Sequence, residues 1–213
     1  ETGATVTGTR GRLRVASVEF GHVQADGSVR HDAVLPCDSL LMSGGWTPTL
    51  HMFSQSRGKL RYEEATGRYL PGRSAEHERS AGACNGTMAL GAVLDEGYAA
   101  GESAARAAGL ATRGTKTFAV AGATTPDGQV LGALPHDRNP GRVKAFVDFQ
   151  HDVTAKDIKL AVREGFRSIE HVKRYTTTGM ATDQGKTSNM NALAIAAGAL
   201  DKPIPAVGLT TFR

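Results

Sequence analysis

Three short helical patterns, each with a marked start and stop, crowd into the stretch from Val153 to Pro203, and that crowding constrains the fold more than any other feature of the chain. Residues 157–166 (DIKLAVREGF) are amphipathic, with Thr154 placed to cap them and Asp157 three residues on, the spacing of a capping box. Residues 168–176 (SIEHVKRYT) form a second helix opened by Ser168, and residues 187–200 (TSNMNALAIAAGAL) a third opened by Thr187 or Ser188. Asp201-Lys202-Pro203 then stops the pattern. Helices this short are marginal alone in water, so the stretch reads as a small helical domain.

The first part of the chain has another texture. Residues 11–38 read as strands and turns: 12–20 (RLRVASVEF) alternate, and Asp26-Gly27 is a hairpin-turn signal. Residues 39–45 (SLLMSGG) predict a short buried strand closing on Gly44 and Gly45, with Trp46 packed and Pro48 fixing the exit. Residues 50–71 are irregular, with two short strands about a Gly67 turn. Residues 87–109 predict a long alanine-rich helix capped by Gly109. Residues 110–143 predict a linker, or a loop laid over the larger domain, with one strand candidate at 117–120. No internal repeat is present.

Bulk properties exclude several classes. The 213 residues suffice for one large or two small domains. A net charge of +4 favours anionic groups or an acidic partner, but no Lys/Arg block interleaved with aromatics supports nucleic-acid binding. Cys37 and Cys84 lie far apart, without metal-ligand spacing, so neither a disulfide framework nor a zinc site is expected, and a reducing cytoplasm is the default location. No apolar run reaches the ~18 residues a membrane helix needs. No Ser-His-Asp arrangement stands out, and Glu63-Glu64 and Asp95-Glu96 read as solvated faces.

Three segments have the chemistry of ligand sites. The loop 179–186 (GMATDQGK) is punctuated by glycine and leads into a helix start at 187–189; free backbone N–H groups, the helix dipole and the Lys186 ammonium together suit a phosphate or carboxylate. It is not a Walker loop, because from Gly179 the second glycine falls at Gly185, one residue late. The Gly44-Gly45 pair would let backbone pass close to a cofactor. The turn 81–86 (AGACNG) before the long helix is the third, with Asn85 as a polar neighbour.

The text DVTAKDI followed by IEHVKRYTTTGMATDQGK resembles the small helical domain of bacterioferritin-associated-ferredoxin type. In that family four cysteines hold a [2Fe–2S] cluster. The resemblance places Asp148, Gln150, Asp183 and Ser188 at those four positions, so the cluster is expected to be absent and no metal held. The cysteine-free version, with VGLTTFR after it, resembles the alpha subunit of heterotetrameric sarcosine oxidase. That resemblance covers most of the chain and is densest from Phe146 to Arg213.

The resemblance implies an α/β fold: the later part of a two-dinucleotide-binding-domain flavoprotein fold at 1–115, a linker at 116–145, the cluster-free all-helical domain at 146–203, and the start of a folate-binding domain of glycine-cleavage T-protein type at 204–213. It implies oxidative demethylation of sarcosine to glycine, with formaldehyde or 5,10-methylenetetrahydrofolate and hydrogen peroxide as co-products. NAD would bind in the dinucleotide fold, FMN at the interface with the beta subunit, FAD in that partner, and tetrahydrofolate in a domain beyond Arg213. A GxGxxG loop is expected before residue 1. Further small subunits complete the expected partners, with the isolated segment inactive.

The resemblance carries the NAD contact to Ala83, Met88 and Leu90; Gly44, Gly45, Gly82 and Asn85 join them from the reading of the residues, and Thr182, Gln184, Lys186, Thr187 and Ser188 are the candidates toward FMN. Related flavoproteins read A-G-D where Gly82-Ala83 stand, the acid bonding a ribose or ribityl hydroxyl; Ala83 replaces that acid. Two other readings remain at this level: a non-catalytic docking module, and the alpha subunit of an amino-acid or opine dehydrogenase.

Overall fold

The computed structural model describes residues 4–24, 28–43, 46–122, 132–133 and 143–209. Two compact units emerge, one built from 1–44 and 130–210, the other from 45–129.

The first unit holds a three-stranded antiparallel sheet in the order β1 (Ala4–Gly11), β2 (Val15–Val23), β3 (Val29–Pro36). The alternation predicted over 12–20 lies in β2, and Arg12, Leu13 and Arg14 make the turn before it. Asp26 and Gly27 fall outside the described residues, while the strands on either side pair at Val23 and Val29. Glu19 is buried in β2, and its carboxylate accepts from Arg10 Nε at 2.5 Å across the pair with β1.

The helical part of this unit opens on a hairpin, β6 (Phe146–Asp148) with β7 (Val153–Thr154), which corrects the expectation of helix alone. Helix α3 (Ala155–Arg163) follows, then α4 (Ile169–Thr176), α5 (Asn189–Leu200) and a 3-10 turn at Ile204–Val207. The capping box is present: Thr154 Oγ1 accepts from the Asp157 N–H, and Asp157 Oδ2 accepts from the Thr154 N–H at 2.8 Å. Ser168 and Ser188 stand at the N-caps of α4 and α5, but neither side chain makes a capping hydrogen bond. The core is aliphatic and small: Ile158, Ala161, Val172 and Ala196 are sealed from solvent, with Ile169, Leu193 and Val207 nearly so. Alanines along α5 let α3 and α4 approach it closely.

The second unit contains α1 (His51–Gln55), a hairpin of β4 (Lys59–Glu63) and β5 (Arg68–Arg73), a 3-10 turn at Gly82–Asn85 and α2 (Leu90–Ala107). The predicted hairpin about Gly67 is there, with that residue at φ 63°. Helix α1 was not foreseen; it buries Phe53, and Leu50, Tyr69 and Leu70 of the same unit are buried too. Helix α2 starts three residues later than the pattern predicts and ends as expected: Gly109 donates to Arg106 O and Leu110 to Ala105 O, the paired bonds of a Schellman stop.

Two predicted strands do not form. Residues 39–43 are irregular, with Leu41 96% and Met42 68% exposed, so apolar sequence alone misplaced them in a core. Gly44 and Gly45 lie outside the described residues, and Trp46 is 72% exposed, not packed away. Residues 117–120 are not a strand but part of a strap running back along α2. Glu102 accepts the N–H groups of Arg113 (2.9 Å) and Gly114 (3.3 Å), and Asp95 accepts that of Phe118 (2.7 Å), whose ring meets Tyr98 edge-on. Among the described residues no helix is long and apolar enough to cross a membrane.

Candidate functional site

In the helical part, the turn joining β6 to β7 and the loop between α4 and α5 are tied together by polar bonds. Asp148, 2% exposed, is the centre of that tie. Its Oδ1 accepts the N–H groups of Gln150 (2.9 Å) and His151 (3.1 Å), and its Oδ2 accepts that of Gly179 (2.7 Å). Thr182 Oγ1 donates to Gln150 Oε1 at 2.9 Å, and His151 Nδ1 lies 3.0 Å from Thr177 O. A carboxylate accepting several backbone N–H groups gains charge-assisted hydrogen bonds that offset its burial.

Asp183 closes the other half of the loop. Its Oδ1 accepts from Gly185 N–H (3.1 Å), and its Oδ2 from Thr187 N–H (3.2 Å) and Thr187 Oγ1 (2.7 Å). Burial pushes this carboxyl up, but the Thr187 hydroxyl and the Gly185 and Thr187 amides outweigh it and hold the group below the ordinary aspartate value. Gly179 and Gly185 have positive φ, and a Cβ on either would stand 2.2 Å from Asn189 Oδ1, so glycine is required at both. Ser188 is fully buried, and its Oγ has no hydrogen-bond partner among the described residues.

The predicted residues of this loop therefore divide. Thr182, Gln184 and Lys186 are exposed and able to meet a ligand. The Thr187 amide and hydroxyl are taken by Asp183, an anion supplied by the chain itself, and Ser188 points away from solvent. Two of the four positions matched to cysteines, Asp148 and Gln150, are tied to the loop that carries the other two. Asp148 and Gln150 sit on one turn, bonded to Gly179 and Thr182 of the loop that continues into Asp183 and Ser188. Among the described residues no group of three or more His, Cys, Asp or Glu side chains is arranged to hold a metal ion.

In the second unit, the turn before α2 is shaped by a residue that sequence reading assigned to a solvated face. Glu96 Oε2 accepts the Gly82 N–H at 2.9 Å, and Glu96 Oε1 accepts Asn85 Nδ2 at 2.5 Å. Burial pushes Glu96 up, but hydrogen bonds from the Thr87 and Asn85 side chains and the Gly82 amide bring it below the ordinary glutamate value. Gly82 (φ 68°) and Gly86 (φ 91°) carry the bend, and a Cβ at Gly86 would lie 2.5 Å from Leu70 Cδ2.

The start of α2 offers backbone donors that could meet an anionic group. The start of α2 has no side-chain cap and no acid in its first turn, so its donors are not neutralised from within. Small side chains stand at Ala81, Gly82 and Ala83, while Gly91 lies under the strap, where a Cβ would stand 3.3 Å from Phe118 O. Gly82 is buried, Ala83 and Leu90 are exposed, and Asn85 and Met88 are half-buried.

Comparison with known proteins gives three results. Residues 142–213 match the family model described as the sarcosine oxidase A3 domain. Over 211 residues the chain is 40% identical to the sarcosine oxidase subunit alpha of Rhizobium meliloti (strain 1021), covering 99% of this chain and 20% of that protein. It is 36% identical to the same subunit of Corynebacterium sp. (strain P-1), covering 83% of this chain and 18% of that one. The chain thus spans about a fifth of the length of these relatives. Among solved structures, L-proline dehydrogenase from P. horikoshii superposes with a TM-score of 0.65 at 19% identity, covering 98% of this chain and 41% of that one, a likeness of α/β fold.

Proposed function

The chain is homologous to the alpha subunits of sarcosine oxidase, and from that premise we propose that it works as part of such a subunit in an enzyme that demethylates sarcosine to glycine. Formaldehyde or 5,10-methylenetetrahydrofolate, and hydrogen peroxide, are the other products. Residues 1–115 serve as the later part of a dinucleotide-binding module, 116–145 as a linker, 146–203 as a ferredoxin-type domain without its cluster, and 204–213 as the start of a folate-binding domain. Its setting is the cytoplasm, with a beta subunit and smaller subunits as partners.

One observation carries the reading. The domain matched over residues 142–213 contains no cysteine, and Asp148 and Asp183, at two of the positions that the ferredoxin-type resemblance gives to cysteine, accept backbone amides. A cluster domain that has lost its iron keeps only its surface and its loops. Asp148 and Asp183 fix those loops without metal, so the face bearing Thr182, Gln184 and Lys186 is preorganised for a partner.

FMN at that face would supply a redox centre between the subunits, with Lys186 toward its phosphate and Thr182 and Gln184 toward polar edges. Thr187 and Ser188 serve to hold the loop. NAD would lie at the turn 81–90, against Gly82, Ala83, Asn85, Met88 and Leu90. Amine oxidation belongs to the FAD of the partner subunit, and tetrahydrofolate to the folate-binding domain.

The test uses the assembled enzyme. Lys186→Ala in the full alpha subunit, assembled with beta, should lower FMN content per complex at unchanged FAD content. Equal FMN content in wild type and variant would overturn the assignment. A stoichiometric complex without flavin absorbance would favour a docking module instead.

A further inference from the structure

Arg68, in the hairpin of β4 and β5, carries a buried charge. It is 8% exposed, and its Nε is sealed from solvent with no hydrogen-bond partner among the described residues. A guanidinium keeps its proton at any working pH, so neutralisation does not relieve the cost of burial. The carboxylate that faces it across the ladder, Glu63, is already engaged. Glu63 Oε1 accepts from Arg61 Nη1 at 3.3 Å, and Oε2 from Thr66 Oγ1 at 2.8 Å. The Thr66 hydroxyl and Arg61 do most to hold that carboxyl below the ordinary glutamate value, and the Arg68 charge adds to this through space. Glu64, next along the chain, acts instead on the Tyr62 phenol, which burial and then the Glu64 charge push up. Among the described residues no carboxylate stands within ion-pair distance of Arg68. Lys59 and Arg73 pair across the other end of the hairpin, so cations outnumber acids along it.

We propose that Arg68 is the cationic floor of an oxyanion site, taking a phosphate or carboxylate group of a small molecule, with the exposed Arg61 at its rim. The inference stands apart from where NAD and FMN bind. A buried cation without a counter-ion is strongly unfavourable, and an oxyanion reverses that by accepting two parallel N–H bonds from the planar fork. Nε is the sealed nitrogen, so the anion meets the Nη1 and Nη2 end. Arg61 adds charge there without leaving Glu63, and the excess of cations along the hairpin draws anions to it.

The experiment follows thermal unfolding of the assembled enzyme against sodium phosphate and against sodium succinate, at an ionic strength held constant with chloride. Wild type should gain stability with the logarithm of one anion's concentration, as a ligand of the folded state does. The more effective anion names the group. Arg68→Lys keeps the charge without the fork and should raise the half-saturating concentration about tenfold. Arg68→Met should lose the response and, in chloride alone, melt at or above the wild type, because it removes a buried charge that has no partner. No response of wild type to either anion, or an equal response in wild type and Arg68→Met, overturns the site. A lower melting point of Arg68→Met in chloride also overturns it, since an acid of the assembled enzyme would then be pairing Arg68. Should Arg68→Met fail to assemble, Arg68→Lys carries the test, and half-saturation equal to wild type rejects the site.

Discussion

At the scale of single residues, this chain uses carboxylates as internal anions. Asp148, Asp183 and Glu96 each accept backbone amides that would otherwise face a bend without partners. Replacing Asp148 by Ala strands buried donors and should destabilise the subunit by about 3 kcal/mol, with Asp148→Asn costing about 1 kcal/mol because one acceptor survives. The midpoint of urea unfolding of the assembled subunit measures both, and equal midpoints for wild type and Asp148→Ala would reject the role. Asp183 and Glu96 have folded-state values below their ordinary ones. Their contribution is full above the unfolded carboxylate values of about 4 and is lost as pH falls through the lower folded values. Stability should therefore decline on the acid side of about pH 4, and Asp183→Asn should flatten that decline.

At the scale of elements, local chemistry decided the ends and tertiary contact decided the rest. The capping box at Thr154 and Asp157 and the Schellman stop after α2 were legible because both are made within a few residues. Thr154→Ala should cost about 1 kcal/mol and fray α3; hydrogen exchange of the Asp157 amide, unchanged, would contradict that. Residues 39–43 and 117–120 misled for one shared reason. A run of apolar or β-branched residues reports only that burial is available, whereas a strand needs a partner to pair with. For 117–120 the helix side chains Asp95 and Tyr98 offered contacts in place of a ladder. The hairpin β6–β7 escaped notice because three and two residues are too few to show a period.

At the scale of the whole molecule, the domain at 142–213 should carry no iron. Elemental analysis of the assembled complex should find neither iron nor acid-labile sulfide in proportion to the alpha subunit. Stoichiometric iron lost on Asp148→Ala would instead reveal a cluster held through oxygen ligands and refute the proposed replacement. The family resemblance was legible because the string TTTGMATDQGK carries Gly179 and Gly185, whose positive φ of 70° and 76° favours glycine.

The sequence by itself determined the capped start of α3, the stop of α2 and the turn at Gly67, because those signals are settled within one or two turns of backbone. Only the tertiary structure decided which acid serves which amide. Asp148 meets Gly179 from 31 positions away, and Glu96 reaches Gly82 from 14. A charge in a sequence reads as solvated until the fold brings unpaired donors to it, and that pairing depends on the path of the chain.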